Sequence, residues 1–185
     1  MEHKISKLKI AIVVTNGFEQ SEMVEPKKAL EKAGAKTMII SLKKGKVKGW
    51  KDKKWGDAFT VDKKIDQVKA EDFDGLLLPG GVMNPDTLRL HPSVINFIKG
   101  FVKANKPIAA ICHGPWTLIN ADAVKNRKIT SWPSIKTDLI NAGAHWVDQE
   151  VVTDGNLVTS RKPADIPAFN KAFIALLRKV QKDER

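Results

Sequence analysis

At 185 residues with a hydrophobic fraction of 42%, the chain is long enough to bury the core of one α/β domain, and 1–185 reads as a single unit. Its single cysteine excludes an internal disulfide, and no apolar run approaches the roughly 20 residues that span a bilayer, so no membrane partner is expected. The net charge of +11 admits an anionic partner, but much of it is local: Lys43, Lys44, Lys46, Lys48, Lys51, Lys53 and Lys54 crowd one segment.

Taken in order, the elements alternate between strand and helix, which predicts a mostly parallel sheet covered on both faces. Met1-Glu2-His3-Lys4 leads into a strand without an apolar signal segment, so a cytoplasmic location is expected. Residues 8–14 form an apolar strand ending at Thr15-Asn16-Gly17. Residues 21–33 follow as a helix stopped by Gly34, with Pro26 expected in its first turn. A second strand covers 37–42. The lysine-rich excursion to Gly56 reads as a hairpin or flap. Residues 75–78 form a third strand, closed by Pro79-Gly80-Gly81, and 93–104 an amphipathic helix. A strand over 107–111 leads into Cys112, followed by a helix over 116–123. A helix over 135–141 comes next. Then come a late hairpin (150–152 and 157–160, turning at Asp154-Gly155) and a closing helix over 163–180. The charged end Lys182-Asp183-Glu184-Arg185 is expected to fray.

Cys112 carries the chemistry. It follows a strand of small and apolar residues and precedes Gly114, which allows a sharp turn, and Pro115, which suits a helix start. Free backbone N–H groups and a helix dipole would favour the thiolate there. The plain alternative is a small buried hydrophobe. His113 is adjacent in sequence, although neighbouring side chains usually point apart. His3, His91 and His145 have no visible partners and read as structural or exposed.

Glu22 opens the first helix. It is either a surface residue complementing the dipole or a partly buried acid that hydrogen-bonds the thiol, with Glu19 and Glu25 as competitors on spacing. The Gly80-Gly81 pair offers unobstructed N–H groups for an oxyanion, though it is also a common turn. Asp86 could orient an imidazole, or cap a short turn over 87–90. Three loops, 17–22, 79–86 and 112–116, should converge at the carboxyl ends of the strands. No HExxH, paired Cys, GxGxxG or GxxxxGK[ST] pattern occurs, so no metal or cofactor is expected. Trp50 and Trp55 interleave the lysines. That suits a nucleic-acid groove, and equally a solvated loop packing on a subunit neighbour; no nucleic-acid motif accompanies it.

Ala110-Ile111-Cys112-His113-Gly114-Pro115 resembles the nucleophile elbow of the PfpI family, within the class I glutamine-amidotransferase-like superfamily. Gly17-Phe18-Glu19-Gln20-Ser21-Glu22, Leu78-Pro79-Gly80-Gly81, Asn141-Ala142-Gly143-Ala144 and Ser160-Arg161-Lys162-Pro163-Ala164-Asp165 match in the family's order. The resemblance implies a flavodoxin-like three-layer sandwich with a mostly parallel central sheet. It implies Cys112 as nucleophile, His113 as its partner and Glu22 as the acid on the thiol. It places Asp86 at a position that contacts the histidine across a subunit interface, hence a homodimer or higher homo-oligomer. Gly80 and Gly81 would serve the oxyanion, and Trp116 or the Trp50/Trp55 flap would line the substrate pocket. Amidotransferases of the superfamily use a distant His-x-Glu pair; here His145 is followed by Trp146-Val147, which argues against glutamine hydrolysis. Family members are described as cysteine peptidases, glyoxalases and deglycases linked to stress. The expected substrates are therefore small carbonyl adducts or short peptides. A non-catalytic stress protein binding nucleic acid or unfolded chains, and a Cys112 redox sensor, are the competing readings.

Overall fold

The computed structural model describes residues 4–183; His3, Glu184 and Arg185 lie outside the described residues. Strands β1 (Lys9–Val13) and β2 (Phe18–Glu19) precede helix α1 (Gln20–Lys32). Then come β3 (Lys36–Ser41), β4 (Lys46–Lys51), β5 (Lys54–Thr60), β6 (Lys63–Lys64) and β7 (Gly75–Leu78). Helices α2 (Met83–Leu88) and α3 (Pro92–Lys103) lead to β8 (Ile108–Ile111) and α4 (Pro115–Asn120). The chain closes through β9 (Lys128–Ile129), α5 (Lys136–Asn141), β10 (His145–Trp146), β11 (Val151–Asp154), β12 (Leu157–Ser160) and α6 (Ile166–Asp183).

Among the described residues a seven-stranded sheet runs in the order β11-β12-β8-β7-β1-β3-β6, parallel except for the β11–β12 pair. The central strands are apolar on both faces because both are covered. Along β1, Ala11 and Val13 join the cluster under α3, with Val94, Ile98 and Phe101. Ile10 and Ile12 join the opposite cluster, with Met23 and Leu30 of α1 and Phe169, Phe173 and Leu177 of α6. Alternation along each strand thus builds two cores, and the fold is the α/β sandwich expected.

Several boundaries differ from the sequence reading, each for a local reason. Pro26 sits in the second turn of α1, not the first; it removes the helical bond that the Glu22 carbonyl would accept. Asp86 lies inside α2, which starts at Met83, so it caps no turn over 87–90. The late hairpin turns at Gly155-Asn156, because Asp154 still pairs with Leu157. The lysine segment is an antiparallel hairpin extending to Thr60, and β4 also pairs with the short β2. No helix among the described residues is long and apolar enough to cross a membrane.

After β1 the chain moves outward to β3, then returns to β1's other side as β7. The sheet order therefore reverses at β1, and a crevice opens beyond the carboxyl ends of β1 and β7, where ligands bind in such sheets.

Candidate active site

Cys112 stands at the end of β8, in that crevice. Its φ is +62°, the left-handed region that non-glycine residues rarely occupy. Backbone bonds on both sides hold it there: its N–H donates to the Ser160 carbonyl (3.0 Å), and its carbonyl accepts from the Trp132 N–H (3.0 Å). The sharp turn is thus made by the cysteine itself. Gly114, at φ −49°, is helical; it is glycine for space, since a Cβ there would strike the Leu78 carbonyl oxygen and lie 2.9 Å from that of Ile111.

The left-handed turn brings the adjacent side chains together. His113 Nδ1 lies 3.3 Å from Cys112 Sγ. Its Nε2 lies 3.3 Å from Ser134 Oγ. A neutral ring that accepts the thiol proton on Nδ1 must carry its own proton on Nε2, and Ser134 is placed to accept it. Burial lowers the imidazole pKa and keeps it neutral. Trp132 stacks on the ring (centroids 6.4 Å, planes 24° apart) and Trp116 meets it edge-on at 5.1 Å.

Glu22 is fully buried behind the thiol. Its Oε1 accepts from the Gly80 N–H at 2.9 Å. Its Oε2 is buried, and the neighbouring Cys112 thiol is the one group placed to meet it among the described residues. Burial pushes the carboxyl pKa well above its ordinary value, and the charge of Glu19 adds to this; the Gly80 N–H works the other way. An ionised Glu22 can be met at that oxygen by the S–H of a neutral thiol but not by a thiolate. A protonated one turns that oxygen into a donor aimed at the thiol.

Burial also raises the Cys112 pKa, and a negative Glu22 would raise it further, contrary to the thiolate-favouring setting expected from the sequence. The N–H groups of Gly81 and His113 point at the sulfur and oppose that shift. Neutralising Glu22 with a proton removes the repulsion and adds a hydrogen bond, so the thiolate is favoured only with the proton on the carboxyl.

The crevice is a cavity of about 540 Å³ bounded by Gly17, Glu19, Glu22, Trp50, Gly81, Val82, Met83, Cys112, His113, Trp132 and Pro163. Cys112, His113, Glu22 and the Gly80-Gly81 turn thus meet in one place. Trp116 stands behind His113 instead of in the wall, its Nε1 donating to Asp138 at 2.8 Å and the Arg89 guanidinium over its ring. Asp86 is exposed on α2, and within the subunit the His113 ring is met by Ser134. Glu19 lines the cavity, whereas Glu25 is at the surface near Lys28. Trp55 packs edge-on against Trp50 at 5.3 Å, so the tryptophans of the basic hairpin serve each other and one wall. Trp132 and Ser134 escaped the sequence reading; the short Ser131–Trp132–Pro133–Ser134 stretch has no motif of its own. Among the described residues, no three of His, Cys, Asp and Glu cluster closely enough to hold a metal ion.

A cysteine in a left-handed strand-to-helix turn, touched by the next residue's imidazole and backed by a buried glutamate, makes a thiol-centred candidate site on an α/β sandwich. The chain belongs to the DJ-1/PfpI family, whose sequence profile matches residues 8–176. It is similar to General stress protein 18 of Bacillus subtilis, 52% identical over 174 residues, covering 92% of this chain and 98% of that one. It is also similar to Protein/nucleic acid deglycase 2 of Escherichia coli, 47% identical over 171 residues, covering 91% and 97%. A solved two-domain protein of Anabaena variabilis, with DJ-1/ThiJ/PfpI-like and ferritin-like domains, superposes with a TM-score of 0.88 at 34% identity. The match covers 92% of this chain and 48% of that protein, so the chain spans about half of its length.

Proposed function

We propose that this protein is a cysteine-dependent hydrolase that removes glyoxal and methylglyoxal adducts in stress defence. The 3.3 Å contact between Cys112 Sγ and His113 Nδ1, with Glu22 buried behind it, carries the reading. A relative named as a deglycase at 47% identity and another named as a stress protein at 52% support it. His113 takes the thiol proton, and the sulfur displaces the amine at the carbinol carbon of the adduct, forming the carbon–sulfur bond as the carbon–nitrogen bond breaks, while the imidazolium gives its proton to the departing amine. The imidazole then carries the remaining proton of that carbon to the neighbouring carbonyl carbon through an enediolate, whose oxyanion the Gly81 and His113 N–H groups hold. The shift leaves a 2-hydroxyacyl thioester, and water cleaves its carbon–sulfur bond to release the hydroxy acid and the thiol. Glu22, kept protonated, holds the sulfur by a hydrogen bond that strengthens as negative charge builds on it.

In this reading the working form is a homo-oligomer. Asp86 is exposed on a surface that also shows Val82 and Leu90, 56% and 77% exposed. From there its carboxylate would reach a neighbouring copy's imidazole. A strictly monomeric species with full activity overturns that role.

The experiment is turnover of methylglyoxal and of its cysteine and arginine adducts by the wild type and by Cys112→Ala, beside a fluorogenic peptide panel. Loss of carbonyl turnover in the variant, with peptides untouched, is the expected result. Cleavage of peptides alone makes the protein a peptidase, and adduct turnover that survives the substitution removes the thiol from the reaction.

A further inference from the structure

A second cavity, of about 630 Å³, lies on the other side of the Thr15-Asn16-Gly17 loop from the thiol. Gly17 bounds the thiol cavity, while Thr15 and Asn16 bound this one. Lys43, Lys44 and Lys46 line it, and none of them forms an ion pair among the described residues. The acid in its wall, Asp66, is engaged by Lys64 at 3.4 Å. The cavity therefore carries uncompensated positive charge.

Its floor is polar. Ser41, at the end of β3, is 2% exposed, and Thr15, just past β1, is 9% exposed. Both line the cavity, and neither hydroxyl hydrogen-bonds to any described residue. Neither oxygen is sealed from the cavity, so both hydroxyls are free to bond to what enters it. The start of α3 completes the wall: His91 precedes the helix without a side-chain cap, and the Ser93 N–H has no acceptor among the described residues.

We propose that this cavity binds a small phosphomonoester. Three lysine ammonium groups meet the phosphate's charge, and the Ser41 and Thr15 hydroxyls with the Ser93 N–H donate to its oxygens. A bare phosphate fills only a fraction of the space, so the ester-bearing body of a metabolite occupies the rest. The site is separate from the thiol chemistry and does not rest on it.

Calorimetric titration with inorganic phosphate and with glucose 1-phosphate, which has no free carbonyl to react with Cys112, tests this. Saturable 1:1 binding with Kd on the order of 1 mM or tighter is expected, with the ester binding more tightly than phosphate. Lys43→Gln/Lys46→Gln should weaken binding at least about tenfold, and so should Ser41→Ala, which leaves the net charge unchanged. Lys53→Gln/Lys54→Gln removes the same charge from the hairpin tip outside the cavity and should leave binding intact, as should Cys112→Ser. The proposal falls if the tip variant loses as much as the cavity variant, if Ser41→Ala has no effect, if the ester binds no better than phosphate, or if neither ligand saturates.

Discussion

The carboxyl of Glu22 and the thiol of Cys112 close on the same glycine. A Cβ built on Gly80 would lie 2.6 Å from Glu22 Oε1, 2.8 Å from Cys112 Cβ and 2.8 Å from the Ile111 carbonyl oxygen. One backbone unit is all that fits between the acid and the thiol, and its N–H is spent on the acid.

Gly80→Ala should therefore damage both folding and chemistry. Two of the three obstacles are the Cβ and backbone of β8's end, which cannot swing aside as a flexible side chain would. A loss of about 1–3 kcal/mol, typical of overpacking, is expected from urea unfolding. Iodoacetamide should also alkylate the variant's thiol at an altered rate, because Glu22 must move. Wild-type stability together with wild-type alkylation would show that the packing is looser than described.

Glu22 makes a signed prediction about pH. Its native pKa is raised, so the native state keeps a proton that the unfolded chain releases near 4.5. The stability from that proton is complete below the unfolded value and is lost as pH rises toward the native one, at up to about 1.4 kcal/mol per pH unit. His113 slopes the other way: its lowered pKa costs stability as pH falls below 6.5. Glu22→Gln, permanently uncharged, should flatten the decline above 4.5 while leaving the histidine's part in place. Unfolding curves between about pH 5 and 8 give the comparison, and parallel curves for the two proteins would place the proton elsewhere.

Much of this site was legible because its parts are local. A strand of small apolar residues, one cysteine, and a glycine and proline after it announce a turn, and the Pro79-Gly80-Gly81 turn announces its neighbour. The alternation of strands and helices carried the fold class. What could not be read was set by distance or by backbone geometry. The left-handed φ of Cys112 has no residue signature, so the Cys112–His113 contact contradicts the usual rule for adjacent side chains. Trp132 and Ser134 arrive from a loop whose position depends on a backbone bond to Cys112. Pro26 within α1 runs against local preference, and tertiary packing of Met23 and Leu30 overrides it.

Ser134 positions the imidazole without touching the thiol. Removing its hydroxyl with Ser134→Ala leaves Nε2 unpartnered within the subunit and lets the ring tautomers exchange. General acid–base catalysis by a histidine is worth about 10²–10⁴ in rate, and loss of its orienting group should cost about tenfold in kcat with KM little changed. Thr in the same place should restore most of the rate. A pH–rate profile separates this from a structural effect, since the limb belonging to the imidazole should move in Ser134→Ala and return in Ser134→Thr. An unmoved limb would mean that another group fixes the ring.

Asp165 anchors the strand end on which Cys112 hangs. Its buried carboxylate accepts from the Arg161 backbone N–H at 3.0 Å, from Nε at 2.9 Å and from Nη2 at 3.0 Å. Arg161 follows Ser160, whose carbonyl holds the Cys112 N–H. Asp165→Ala removes the acceptor of all three bonds at once and strips a neighbour from Pro163 in the cavity wall. Breaking a fully buried pair from one side costs about 3–5 kcal/mol, but the Arg161 side chain keeps 21% exposure and a second partner in Asp148. A loss of about 2 kcal/mol is therefore expected. Asp148→Ala, which takes one exposed bond from the same arginine, should cost under about 1 kcal/mol. Denaturant unfolding of the two variants gives the ranking. Equal losses would show that the arginine's surface bond, and not the buried carboxylate, holds the end of β12 beside Cys112.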